Sequence, residues 1–183
     1  MIFITVSTGI GGGIIINNKL YRGMTGSAGE FGHMIIDHTG GHMCTCNNRG
    51  CWNISSAGVN LKLTAEKHLQ KGIKSNIISN KNEIDGAKLS EGWKNEDPLC
   101  TEIVEEYIQY IAIGLNNVFQ ILNPPIIVLG GGLMKIGDNF LNKIRENFRE
   151  LAGNMLVEEM EIKLTKLNGN AAVIGAAALA MDE

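Results

Sequence analysis

The sequence predicts an α/β protein built as a mixed β-sheet flanked by helices, and three observations predict it. The chain opens on an apolar run rich in β-branched residues, 1–6, closed by Ser7-Thr8-Gly9. A second run, Gly13-Ile14-Ile15-Ile16, meets Asn17-Asn18, a pair that tolerates positive φ, and Lys19-Leu20-Tyr21 returns as a hairpin. The second half alternates helical patterns with short apolar strands, as parallel pairing requires.

The remaining elements follow in chain order. Met34-Ile35-Ile36 reads as a third strand, and residues 37–53 hold Gly, His, Cys and Asn without periodicity, as an irregular loop does. Residues 71–97 are polar and poorly periodic, and are expected to be a mobile excursion. Residues 101–122 place Ile103, Tyr107, Ile108, Ile111, Leu115, Val118, Phe119 and Leu122 at helical spacing, and Asn123-Pro124-Pro125 ends that helix. Ile126-Ile127-Val128-Leu129, bounded by Gly130-Gly131-Gly132, suits a buried parallel strand. A helix at about 138–151, a strand at 162–164 and a helix at 173–181 complete the reading.

Composition narrows the function classes. A length of 183 residues suits one domain, and 44% hydrophobic with 19% charged residues excludes wholesale disorder. The balance of 16 Lys+Arg against 19 Asp+Glu, net −3, argues against a nucleic-acid surface. No apolar run reaches the roughly 20 residues of a membrane span, and residues 1–6 are too short for a signal peptide. A soluble, cytoplasmic protein is expected. Glycine is the outlier: 11 of the 23 fall in the first 50 residues, so the backbone there turns tightly or approaches something closely.

The strongest chemical signal is Cys44-Thr45-Cys46 with Cys51, three thiols within eight residues and three histidines, His33, His38 and His42, just upstream. Three thiolates and one imidazole form a standard tetrahedral zinc set, and the loop has little apolar content to hold itself otherwise. The competing reading is three unconnected reduced cysteines. Composition does not choose among the histidines. Cys100 stands alone as a small hydrophobe. The run from Ser7 through Thr8, Gly9, Gly11, Gly12 and Gly13 follows a strand and could cradle phosphate on its backbone N–H groups, or be a structural turn. It lacks the Gly-Lys-Ser/Thr of a Walker loop, and a hairpin follows it where a dinucleotide fingerprint has a helix. Gly130-Gly131-Gly132 could admit a base and ribose, or let a helix pack closely.

Four motifs in this order, Thr8-Gly9-Ile10-Gly11-Gly12-Gly13, Gly26-Ser27-Ala28-Gly29-Glu30-Phe31-Gly32-His33, Cys44-x-Cys46-x4-Cys51 and Ile127-Val128-Leu129-Gly130-Gly131-Gly132, resemble the ROK family of bacterial sugar kinases and sugar-responsive repressors. Gly169-Asn170-Ala171-Ala172-Val173-Ile174-Gly175-Ala176-Ala177 is similar to that family's C-terminal helix. The resemblance implies an actin-like ATPase (ribonuclease H-like) fold, with residues 1–183 as its large, C-terminal lobe carrying a zinc loop. The small lobe, with its Asp-x-Gly-x-Thr phosphate loop and catalytic Asp, has no counterpart here, so the isolated chain is expected to be inactive and to hold no catalytic base.

By resemblance, Thr8, Gly9, Gly11, Gly12 and Gly13 hold ATP phosphates, and Gly131 and Gly132 face the adenosine. Glu30 and His33 bond sugar hydroxyls, and His33 joins Cys44, Cys46 and Cys51 on a structural Zn²⁺, one ring nitrogen to the metal and the other to the sugar. The implied partners are a sugar, ATP with Mg²⁺ and a second copy of the chain in a homo-oligomer, with no membrane and no nucleic acid through this lobe. Two positions depart from the family pattern: Asn47 stands where Gly is usual, and Asn53 where a sugar-binding Glu is usual. The implied activity is ATP-dependent phosphorylation of a hexose, glucokinase-like; the alternative is the sugar-sensing lobe of a repressor. Thr8 separates them modestly, since a kinase needs that hydroxyl at the phosphates.

Overall fold

The computed structural model describes residues 1–39, 41–153 and 159–181. Among these residues five strands form one sheet in the order β3-β2-β1-β4-β5. β1 (Ile2–Val6) pairs antiparallel with β2 (Ile10–Ile16) and parallel with β4 (Ile126–Gly130). β3 (Lys19–Leu20) extends β2 antiparallel, and β5 (Glu161–Leu164) extends β4 in parallel. The sheet is mixed, as the sequence predicts. Alternation along β1 buries Ile2, Ile4 and Val6 and leaves Phe3 and Thr5 half-buried. The β2–β3 turn holds Asn17 at φ 51° and Asn18 at φ 62°, the left-handed pair that a type I′ hairpin requires.

Among the described residues six α-helices form: α1 (Trp52–Ser56), α2 (Leu61–Gln70), α3 (Gly86–Lys94), α4 (Pro98–Leu122), α5 (Asp138–Ala152) and α6 (Ala171–Met181). α4 is the hub and packs against α1, α2, α3 and α5. Its start is fixed twice, by Pro98 in the first turn and by the Asp97 side chain accepting the Cys100 N–H at 3.1 Å. Its end is Asn123 at φ 38°, a left-handed cap that Pro124 follows. Phe119 meets Phe148 of α5 edge-on, ring centroids 5.6 Å apart. Gly114 lies against the fully buried Trp52 indole, and Tyr107 donates to the Ala57 carbonyl at 3.2 Å.

Four details differ from the sequence reading. Met34-Ile35-Ile36 forms no strand, because Ile35 makes only an isolated bridge, to Cys51. Gly11, Gly12 and Gly13 are not a loop but the middle of β2, paired with Thr5, Ile4 and Phe3. Residues 71–97, expected to be an excursion, contain α3, capped by Asp85 through the Lys88 N–H at 2.8 Å and anchored by buried Leu89. α1 starts inside the predicted irregular loop, at Trp52, with Trp52 and Ile54 buried, and α2, with Leu61 and Ala65 buried, occupies a stretch for which the sequence suggested no element. By contrast α6 is apolar throughout and buries none of its residues.

Two outcomes are expected. A Cβ on Gly114 would stand 2.2 Å from the Trp52 ring, so Gly114→Ala should lower stability by about 1–3 kcal/mol in urea unfolding. Burial pushes the Asp97 carboxyl up, but the Asn76 N–H (2.7 Å), the Cys100 N–H and the Ser75 hydroxyl (2.9 Å) hold it below the usual carboxylate range. Its contribution is therefore complete above the unfolded value of about 4 and is lost as pH falls through the lower folded value. Asp97→Asn should flatten that acid limb of the stability profile.

Candidate metal centre and ligand cleft

The cysteine loop is shaped by backbone before any metal is considered. Met43 and Arg49 form a bridge, the Cys44 N–H donates to Asn48 O at 2.8 Å, and the Asn47 N–H donates to Cys44 O at 3.0 Å. Asn47 sits at φ 68°, a left-handed position where Asn is the commonest substitute for Gly; its departure from the family pattern is conformationally neutral. Gly50, at φ 71°, admits no side chain, since a Cβ would lie 1.8 Å from Asp37 O. Asp37 in turn accepts from the Thr39 N–H at 2.9 Å and from the Tyr110 hydroxyl at 3.3 Å, tying the loop to α4.

The structure brings His33, rather than His38 or His42, to the three thiols. All four ligand atoms lie within 4.8 Å of one another, with His33 Nδ1 3.6 Å from Cys44 Sγ and Cys46 Sγ 3.4 Å from Cys51 Sγ. Tetrahedral ligands on metal–sulfur bonds of about 2.3 Å stand about 3.8 Å apart, so the cluster fits a four-coordinate ion. Donor chemistry agrees. The Asn48 N–H and the neighbouring thiols draw the Cys46 thiol down, whereas burial and the thiols of Cys46 and Cys44 push the Cys51 thiol up. A divalent cation would displace the protons that the thiols impose on one another. His33 turns Nδ1 to the sulfurs and Nε2 toward solvent, 4.0 Å from the exposed Glu30 carboxylate.

The second feature is a cleft of about 910 Å³ where β1 and β4 end. Because these strands are parallel, with Thr5 opposite Gly130, the turn at Ser7-Thr8-Gly9 and the turn at Gly130-Gly131-Gly132 leave the same sheet edge. In open α/β sheets that edge is where ligands bind. Of the residues expected there, Thr8 and Gly132 line the cleft, whereas Gly131, at φ 100°, backs onto Val6 O, 2.3 Å from where a Cβ would be. Gly9 closes the turn, and Gly12 lies beneath the Phe31 ring, 2.6 Å from where its Cβ would stand. Asn53 accepts the Ile10 N–H on Oδ1 at 2.7 Å. Sequence reasoning missed Lys62, Asp85, Lys94 and Lys135, which line the cleft from α2, the α3 cap, α3 and the turn after β4. Lone charges outside a recognisable motif gave no signal.

Comparison with known proteins shows the family. The ROK family model matches residues 1–183. A xylose repressor of Caldicellulosiruptor bescii is 30% identical across 100% of this chain and 46% of its own length. A glucokinase of Halalkalibacterium halodurans is 30% identical over 96% of this chain and 54% of its own length. The chain therefore spans about half the length of such relatives. The ROK family glucokinase of Streptomyces griseus, solved with glucose and AMPPNP, superposes with a TM-score of 0.85 at 31% identity, over 100% of this chain and 60% of that one.

Elemental analysis of the purified chain should find one transition-metal ion per molecule, and Cys46→Ser should lower that occupancy. Stripping the ion should raise amide exchange across the cysteine loop, which has only Cys44, Cys51 and Ile54 as a core of its own. Full occupancy in Cys46→Ser would refute the assignment.

Proposed function

As this chain belongs to the ROK family, we propose that it is the sugar- and zinc-binding lobe of an ATP-dependent hexose kinase, with part of the ATP site. The observation that carries this reading is the sharing of one nucleotide-sized cleft by Thr8 and Gly132 at the ends of two parallel strands. The glucokinase that superposes on the chain was solved with both glucose and a nucleotide analogue.

In this reading the Thr8 hydroxyl and the backbone of the Ser7–Gly9 turn meet the ATP phosphates, and Gly132 faces the adenosine, while Gly131, set against Val6, shapes the turn that presents it. Zinc is favoured as the ion by three thiolates and an imidazole. It would fix the His33 tautomer, leaving Nε2 with Glu30 to bond sugar hydroxyls. Asn53 has its oxygen engaged by Ile10 and offers a sugar only its Nδ2 donor, which favours a substrate with an acceptor there. In the transfer the sugar oxygen would form a bond to the γ-phosphorus as the bond to the β,γ-bridging oxygen breaks in line, and Lys62, Lys94 and Lys135 at the cleft would spread the charge alongside an ATP-bound Mg²⁺. No base for the hydroxyl proton is assigned among the described residues.

The second reading is the sugar-sensing lobe of a repressor, favoured by the xylose repressor identity along the whole chain. Titration with AMPPNP and with glucose or xylose separates the two. A kinase lobe should bind AMPPNP weakly, and Thr8→Val should weaken it by roughly ten- to a hundredfold, the worth of a hydrogen bond to a charged group, while sugar binding stays. A repressor lobe should bind sugar and ignore the nucleotide. The 183 residues alone should phosphorylate no sugar, and robust turnover by them would overturn the reading of this chain as one lobe of a two-lobed kinase.

A further inference from the structure

We propose that Asn53 is a positioning residue through which the metal centre holds the Ser7-Thr8-Gly9 turn in place. Its bearing on nucleotide binding rests on the reading of that turn given above. The centre of the argument is Ile10, the first residue of β2 and the one that follows the turn. Its N–H donates at 2.7 Å to Asn53 Oδ1. Its carbonyl abuts Gly32, where a Cβ would be only 2.1 Å away. Gly32 immediately precedes the ligand His33, and Asn53 lies two residues after the ligand Cys51. Ile10 is thus gripped on both sides by segments that depart from the metal cluster.

α1 carries the same connection further. Cys51 is its N-cap, and beyond its end the Gly58 and Val59 N–H groups donate to Ser7 O at 2.7 Å and Thr8 O at 2.9 Å. The turn is held at three backbone groups, Ser7 O, Thr8 O and Ile10 N, by residues that follow one metal ligand within eight positions. The fit around Asn53 is close. A Cβ on Gly9 would lie 3.0 Å from Asn53 Oδ1, and one on Gly32 would lie 3.4 Å from Asn53 Cβ. A backbone N–H demands an acceptor, so the amide oxygen is the atom engaged and Asp can replace it.

The test uses amide exchange at Ile10 and AMPPNP titration on the zinc-loaded chain, with Asn53→Ala and Asn53→Asp. In Asn53→Ala, Ile10 should exchange at least about tenfold faster and AMPPNP should bind about tenfold more weakly, with zinc still at one per chain. Asn53→Asp should restore both. Stripping zinc from the unmodified chain should speed exchange at Ile10 and Val59, and in Asn53→Ala it should add little at Ile10. Wild-type protection of Ile10 in Asn53→Ala, protection that survives zinc removal, or failure of Asp to restore it would overturn the proposal. If Asn53→Ala does not fold, Asn53→Asp and zinc removal still decide it. An unmodified chain that ignores AMPPNP would defeat the kinase reading while the exchange measurements judged Asn53.

Discussion

Parallel pairing of β1 with β4 is the constraint on which the ligand cleft depends. A hairpin alone would send its turn into solvent with nothing beside it. Setting β4 alongside, Thr5 against Gly130, makes two glycine-bearing turns exit one sheet edge together. Small residues are needed in the second turn and in β2 beyond the first, for different reasons. Gly131 must clear the Val6 carbonyl, and Gly12 must pass under Phe31. Among the glycines of the first 50 residues, Gly12, Gly29 and Gly32 are packing requirements of the sheet, where a Cβ would meet other atoms within 2.6 Å, and the Ser7-Thr8 turn is what faces the cleft.

A different device holds the cysteine loop that leads into α1. Its backbone is ordered by bridges, by two left-handed positions, Asn47 and Gly50, and by the Asp37–Tyr110 contact with α4. Its own apolar core is three residues, two of them cysteines. Four converging ligand atoms supply the cross-link that apolar burial supplies elsewhere. The main core, by contrast, is built around α4, whose buried face runs from Leu99 to Phe119 and meets four other helices.

The fold was legible wherever one physical signal dominated. Apolar strands next to turn residues gave β1, β4 and β5, and long 3.6-residue periodicity gave α4 and α5. The Asn17-Asn18 turn announced the hairpin. α1, α2 and α3 escaped because they are short, mixed in polarity and helical by tertiary contact: Trp52 finds its place only against Gly114, and Leu89 only inside the common core. Met34-Ile35-Ile36 misled because apolar β-branched residues were read as a strand where only one bridge forms. The metal cluster was legible in its thiols but not in its imidazole, which the ROK resemblance and then the geometry singled out. The family motifs likewise announced Thr8 and Gly132, but the engagement of Asn53 with Ile10 joins positions 43 residues apart and leaves no local trace.

The last helix follows another logic from the others. α6 has alanines, Val173, Ile174, Gly175, Leu179 and Met181 on every side, so it lacks the polar stripe that tells an amphipathic helix which way to face. At 11 residues it is also shorter than the roughly 12–15 at which helices hold in water alone. A single flat surface laid against it would shelter one side and leave the opposite side wet. What such a cylinder calls for is enclosure, with neighbours arriving from several directions at once. Its six alanines and one glycine let those neighbours' backbones come closer than the usual 8–10 Å between helix axes.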